Sequence, residues 1–136
     1  MRKMVFGRKL SRGRKSREAL FKSLIKALVI YGKITTTYAK AKAIIGEVDK
    51  IVNTAKENSL SARRKVLGQL GNDRKVTDLI FKIVPKFTSR QGGYTKIVNL
   101  PPRRGDMAQM ASIEWVDKIV EPEKKKEKVE KKETKK

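Results

Sequence analysis

The side chains able to do chemistry in this chain are almost all cations. It holds 35 Lys and Arg against 14 Asp and Glu, with no histidine and no cysteine. Without histidine the commonest general base and metal ligand are missing, and without cysteine there is no thiol or disulfide chemistry. Nine acids are scattered between residues 18 and 120. The nearest helical pair, Glu47 and Asp49, is two residues apart and faces two directions. Gly92-Gly93 lacks the Gly-Lys-Ser/Thr ending of a phosphate loop. No catalytic residue, metal, cofactor or small-molecule substrate is therefore expected.

What the cations can do is pair with phosphate. Arg2, Lys3, Arg8, Lys9, Arg12, Arg14, Lys15 and Arg17 place eight positive charges in the first 17 residues, with no acid among them. Arg90 stands just before Gly92-Gly93-Tyr94-Thr95-Lys96, and Arg103-Arg104-Gly105 lies beyond the far end of the strand that follows. Glycine lets a backbone approach closely, Arg grips phosphate with a fork of donors, and Lys adds a point charge. Tyr94 reads either as a platform for a base or as a core residue, the core being favoured. The candidate RNA contacts are thus the eight arm residues with Arg90, Gly92, Gly93, Lys96, Arg103 and Arg104. An arm and two loops amount to several separate contacts with a folded RNA. No helix-turn-helix, zinc finger, basic zipper or RNP aromatic signature is present, so recognition by shape and phosphate is expected.

The net charge of +21 points the same way, because its self-repulsion weakens a free monomer and calls for an anionic partner. An architectural DNA-binding protein is the alternative, and would bring dimerisation and minor-groove wedges. A membrane-surface protein using the lysine-rich tail is a third reading, opposed by the five Glu of that tail. No apolar run approaches the ~18 residues of a membrane span. Gly7 and Gly13 interrupt any amphipathic targeting helix at the N-terminus.

The elements that must position these cations follow from periodicity. Ser16 to Tyr31 reads as a helix with Leu20, Leu24, Leu28 and Tyr31 in one stripe, widened by Phe21 and Ile25. Ser16 is its expected N-cap and Gly32 its left-handed C-cap. Lys33–Thr37 is β-branched and reads as a strand. Tyr38–Lys56 carries a second stripe through Ala41, Ile44, Ile45, Val48, Ile51, Val52 and Ala55. A third helix, capped by Ser59 or Ser61, holds Val66, Leu67 and Leu70. Its first turn carries Arg63, Arg64 and Lys65, the wrong sign for the helix dipole. Asp73 caps a fourth helix that runs to Val84 and stops before Pro85. Tyr94–Leu100 and Met110–Val116 alternate as strands. The expected fold is α+β, about four helices packed on a small three-stranded mixed sheet. Residues 1–15 form a basic arm, 16–120 a single domain, and 121–136 a disordered Lys/Glu tail with too little apolar surface to order it.

At these motifs the chain resembles the bacterial large-subunit ribosomal protein seventeen family. The first match is Met1-Arg2, Gly7-Arg8-Lys9-Leu10, Arg12, Arg17 and Ala19-Leu20. The second, and most specific, is Phe87, Ser89-Arg90 and Gly92-Gly93-Tyr94-Thr95-Lys96-Ile97. The third is Gly105-Asp106, Ala108, Met110-Ala111, Ile113-Glu114 and Val116, with Ile34 to Thr37 and Ala39 to Lys42 between. Together they span roughly residues 1–117. The arm departs from the family at Lys3 and Ser16, where histidine is usual, and at Gly13-Arg14-Lys15. The resemblance implies a structural constituent of the large subunit, cytoplasmic as part of the ribosome. It would bind large-subunit ribosomal RNA near the peptide exit side and touch neighbouring ribosomal proteins.

Overall fold

The computed structural model describes residues 7–117; Arg2, Lys3 and the whole 121–136 tail lie outside that range. Helix α1 runs Arg14–Tyr31, two residues earlier than the expected Ser16 cap. Gly13, in extended conformation, takes the cap position with no side-chain bond, and its carbonyl accepts the Arg17 N–H at 3.0 Å. The first turn gains an Arg14–Glu18 ion pair at 3.1 Å, which a start at Ser16 would forgo. The helix ends as expected on Gly32, at φ 71°, whose N–H reaches the Leu28 carbonyl at 2.9 Å.

The stripe of α1 is rotated from the expected one. Ile25, Leu28 and Val29 are its buried residues, Leu20, Phe21 and Leu24 are half-buried, and Tyr31 is 67% exposed. At about 100° per residue, an arc centred on Ile25, Leu28 and Val29 leaves Leu24 roughly 90° and Tyr31 roughly 110° from its centre. Leu28→Ala should therefore cost about 2–5 kcal/mol in a denaturant melt. Leu24→Ala should cost less than half as much, and equal losses would show that the arc is placed wrongly.

Strand β1 (Lys33–Thr37) leads directly into α2 (Tyr38–Lys56). The stripe of α2 is buried at Ala41, Ile44, Val48, Ile51, Val52 and Ala55. Ser59 caps α3 (Leu60–Gln69) by accepting the Ala62 N–H at 3.1 Å. Asp73 caps α4 (Arg74–Ile83) by accepting the Val76 N–H at 3.3 Å, which with Lys26 3.4 Å away lowers its pKa. Pro85 lies in the 3-10 turn Val84–Phe87 that follows.

Strands β2 (Thr95–Leu100) and β3 (Met110–Trp115) complete the sheet, in the order β1-β3-β2. The sheet is antiparallel throughout, where a mixed one was expected. β1 and β2 run the same way but never pair, because β3 is inserted between them. The register places Ile34, Ile113 and Ile97 in one row and Lys33, Glu114 and Lys96 in the next. The isoleucine row faces the helices and joins their core, with Ala111 and Trp115. Trp115 Nε1 donates to the Leu28 carbonyl at 3.3 Å, which ties the central strand to α1. Among the described residues no helix is long and apolar enough to cross a membrane.

Candidate nucleic-acid interface

The described part of the arm turns sharply before it enters α1. Leu10 and Ser11 both adopt left-handed backbone, at φ 54° and 51°, and the Arg12 N–H reaches the Lys9 carbonyl at 3.1 Å. Leucine is disfavoured in that region, so the turn needs other support. The guanidinium of Arg12 donates to the Leu10 carbonyl at 2.9 Å, and that of Arg17 to the Arg12 carbonyl at 3.1 Å. Arg12, Arg14 and Arg17 thus hold the root of the arm. Arg8, Lys9 and Lys15 are exposed and have no partner among the described residues.

The glycine loop is shaped by one face of α2. Asp49, Asn53 and Lys56 lie four and three residues apart, which aligns them on the helix. The Asp49 carboxylate accepts the N–H groups of Gly93 at 3.4 Å and Tyr94 at 3.3 Å. Asn53 Nδ2 donates to the Gln91 carbonyl at 3.4 Å, and Lys56 Nζ donates to the Arg90 carbonyl. Gly93 needs to be glycine for its φ of +65°, and the position of a side chain on exposed Gly92 is open space. None of the three α2 residues stands out as functional in the sequence. Their helical spacing was visible, but the loop they hold lies some 40 residues further along the chain.

Tyr94 is fully buried, which decides between its two readings. Its ring meets Phe87 edge to face at 5.2 Å, with Lys56 Nζ 4.9 Å from its centroid. Its hydroxyl shares its one proton between Asn53 Oδ1 and the Arg90 carbonyl, the latter at 3.2 Å. It cannot stack on a base; it anchors the loop that presents Arg90. Arg90 itself is exposed, with Nε 3.6 Å from Asp117. Lys96 sits 3.5 Å from Glu114, which also meets Lys33 at 3.0 Å across the sheet. Those bonds, that of Lys33 first, lower the pKa of Glu114.

The third basic site is the turn after β2. Arg103 forks onto Asp106 at 2.6 and 3.2 Å, and its N–H reaches the Ala108 carbonyl at 2.9 Å. Asp106 also accepts the Ala108 N–H at 3.3 Å. Arg103 therefore shapes the turn, and exposed Arg104, with no partner among the described residues, presents the charge. The Arg103 bond, and after it the Ala108 N–H, hold the Asp106 pKa at about 2, below the ordinary 3.8. Whatever this clasp contributes is complete above the ordinary carboxylate range and is lost as pH falls through about 2. An NMR titration should find the Asp106 carboxyl midpoint near 2, moving up toward 3.8 in Arg103→Ala. An ordinary midpoint in the parent protein would contradict the clasp.

The two loop sites lie well apart. The six residues of β2 separate the glycine loop from the Arg103 turn by about 20 Å. No single phosphate can reach both loops.

Residues 20–116 match the model of a family described as Ribosomal protein L17. The chain is 43% identical over 118 residues to a protein of Thermus thermophilus called Large ribosomal subunit protein bL17, covering 86% of this chain and all of that one. It is 44% identical to a protein of the same description from Natranaerobius thermophilus, over 81% of this chain and 97% of the relative. A third, from Chloroherpeton thalassium, is 43% identical over 86% of this chain and 69% of its own length.

Proposed function

The chain belongs to the ribosomal protein L17 family, and from that premise we propose that its arm and two loops bind and bridge separate segments of large-subunit ribosomal RNA. As a member of that family it is a structural, non-enzymatic constituent of the large ribosomal subunit, cytoplasmic as part of the ribosome. The RNA contacts lie near the peptide exit side, and neighbouring ribosomal proteins complete the surroundings. One observation carries this reading: exposed cations stand on three separately braced supports. They are Arg8, Lys9 and Lys15 at the arm, and Arg104 at its clasped turn, with Arg90 held out by the Tyr94 anchor.

Physically the protein neutralises phosphates that repel one another and fixes the spacing between the RNA segments that carry them. Each phosphate neutralised releases counterions, so affinity falls steeply with salt. Co-sedimentation tests the reading. The protein should run with large subunits and be released by RNase but not by DNase. Release by DNase instead would favour an architectural DNA-binding protein.

A further inference from the structure

The segment from Asn58 to Lys86 carries seven basic residues and two acids, and both acids are engaged inside the protein. Asp73 caps α4 and pairs with Lys26. Asp78 pairs with Arg63, whose guanidinium also lies 5.2 Å from the centre of the Phe81 ring. Arg64, Lys65, Arg74, Lys75 and Lys82 are all exposed and have no partner among the described residues. The positive end of α3 has no acid in its first turn to offset it, whereas that of α4 meets the Asp73 carboxylate at its cap.

Between the two helices lies an open groove of about 350 Å³. Leu60, 67% exposed, and half-buried Leu67 line the α3 wall, with Arg64 beside them; Arg74 and Thr77 line the α4 wall. The Arg63–Asp78 pair joins the two walls. We propose that this groove is a further RNA contact, in which Arg64 and Arg74 take backbone phosphates from opposite walls and Leu60 and Leu67 pack against the sugar between them. The inference rests on the RNA-binding reading above and adds a site that neither the arm nor the loops include.

Charge complementarity selects the occupant. Guanidiniums on facing walls, with two leucines beside them and the only lining carboxylate, Asp78, already paired with Arg63, fit a strand with an anion at each unit and an uncharged sugar between. The unpaired charge also continues beyond the groove through Lys65, Lys75 and Lys82, which suits a polyanion better than one acidic side chain. Arg63 does not take phosphate: its contacts with Asp78 and Phe81 make it a positioning residue for the walls.

The test compares full-length parent protein, Arg64→Gln/Arg74→Gln and Arg8→Gln/Lys9→Gln by hydroxyl-radical footprinting and salt titration on large-subunit RNA. Both groove arginines are exposed, so the double variant should keep the parent's urea midpoint. It should lose one discrete patch of protection and keep the patch that depends on Arg8 and Lys9. Binding should weaken roughly ten-fold for each arginine replaced, and the salt slope should become shallower by about 1.5. Lysine at both positions should restore the slope. A double variant with every protection and the parent slope would overturn the proposal. So would unchanged RNA binding with failed incorporation only when other ribosomal proteins are present, which would give the groove to a protein neighbour. If the parent itself gives no discrete protection, the underlying RNA reading fails, and this site with it.

Discussion

Tyr94→Ala is expected to remove about 3–5 kcal/mol of stability. Tyr94 is fully buried against Phe87, which in turn packs on Trp115 at 5.8 Å. Truncation leaves a ring-sized cavity where α2, the 3-10 turn and the sheet meet. It also removes the hydroxyl that the Arg90 carbonyl and Asn53 Oδ1 share. Tyr94→Phe separates the two effects. It keeps the ring and should cost only about 1–2 kcal/mol, the share of the hydroxyl's bonds. A urea melt gives both numbers, and amide hydrogen exchange at Gly92 and Gly93 reports whether the loop loosens in both variants. A Tyr94→Ala loss below about 1.5 kcal/mol, or equal losses for the two variants, would show that Tyr94 is no anchor.

The second large effect is on binding. Deleting residues 1–12 removes Arg2, Lys3, Arg8, Lys9 and Arg12 while leaving Gly13 to cap α1. A cut at residue 15 would also shorten the helix and break the Arg14–Glu18 pair, confusing stability with affinity. The five missing charges should make the salt slope shallower by up to about 4, and weaken RNA binding by two orders of magnitude or more at moderate salt. The urea midpoint should barely move, since no residue of the described arm is buried. A large fall in the midpoint would make the arm part of the fold.

The sequence was most legible where a pattern is local. The α2 stripe, the Gly32 and Asp73 caps, the stop at Pro85 and the three strands all rest on periods or residue types within one element. It was less legible where partners are far apart in the chain. Ser16 looked like a cap, but the choice of Gly13 depends on the arm's turn and on Glu18. The α1 stripe was rotated because Val29 and Leu24 are equally apolar, and only the packing against Trp115 and the other helices decides which is buried. β1 was rightly placed in the sheet, but its antiparallel setting depends on which strand lies between β1 and β2.

The candidate site divides in the same way. Every cation was readable, but not which ones are already engaged. Arg103 and Arg104 are neighbours of the same type, yet one clasps Asp106 and the other has no partner among the described residues. Asp49 and Asn53 carried no visible function until the glycine loop was folded onto them.

The most direct measurement is footprinting on large-subunit RNA with the full-length protein and the arm deletion, at two salt concentrations. Discrete protections at separate RNA segments, one set vanishing with the arm and the rest persisting at the lower salt, are the predicted result. Diffuse protection that fades evenly with salt would mean polycation binding alone, and would contradict the bridging of distinct RNA segments.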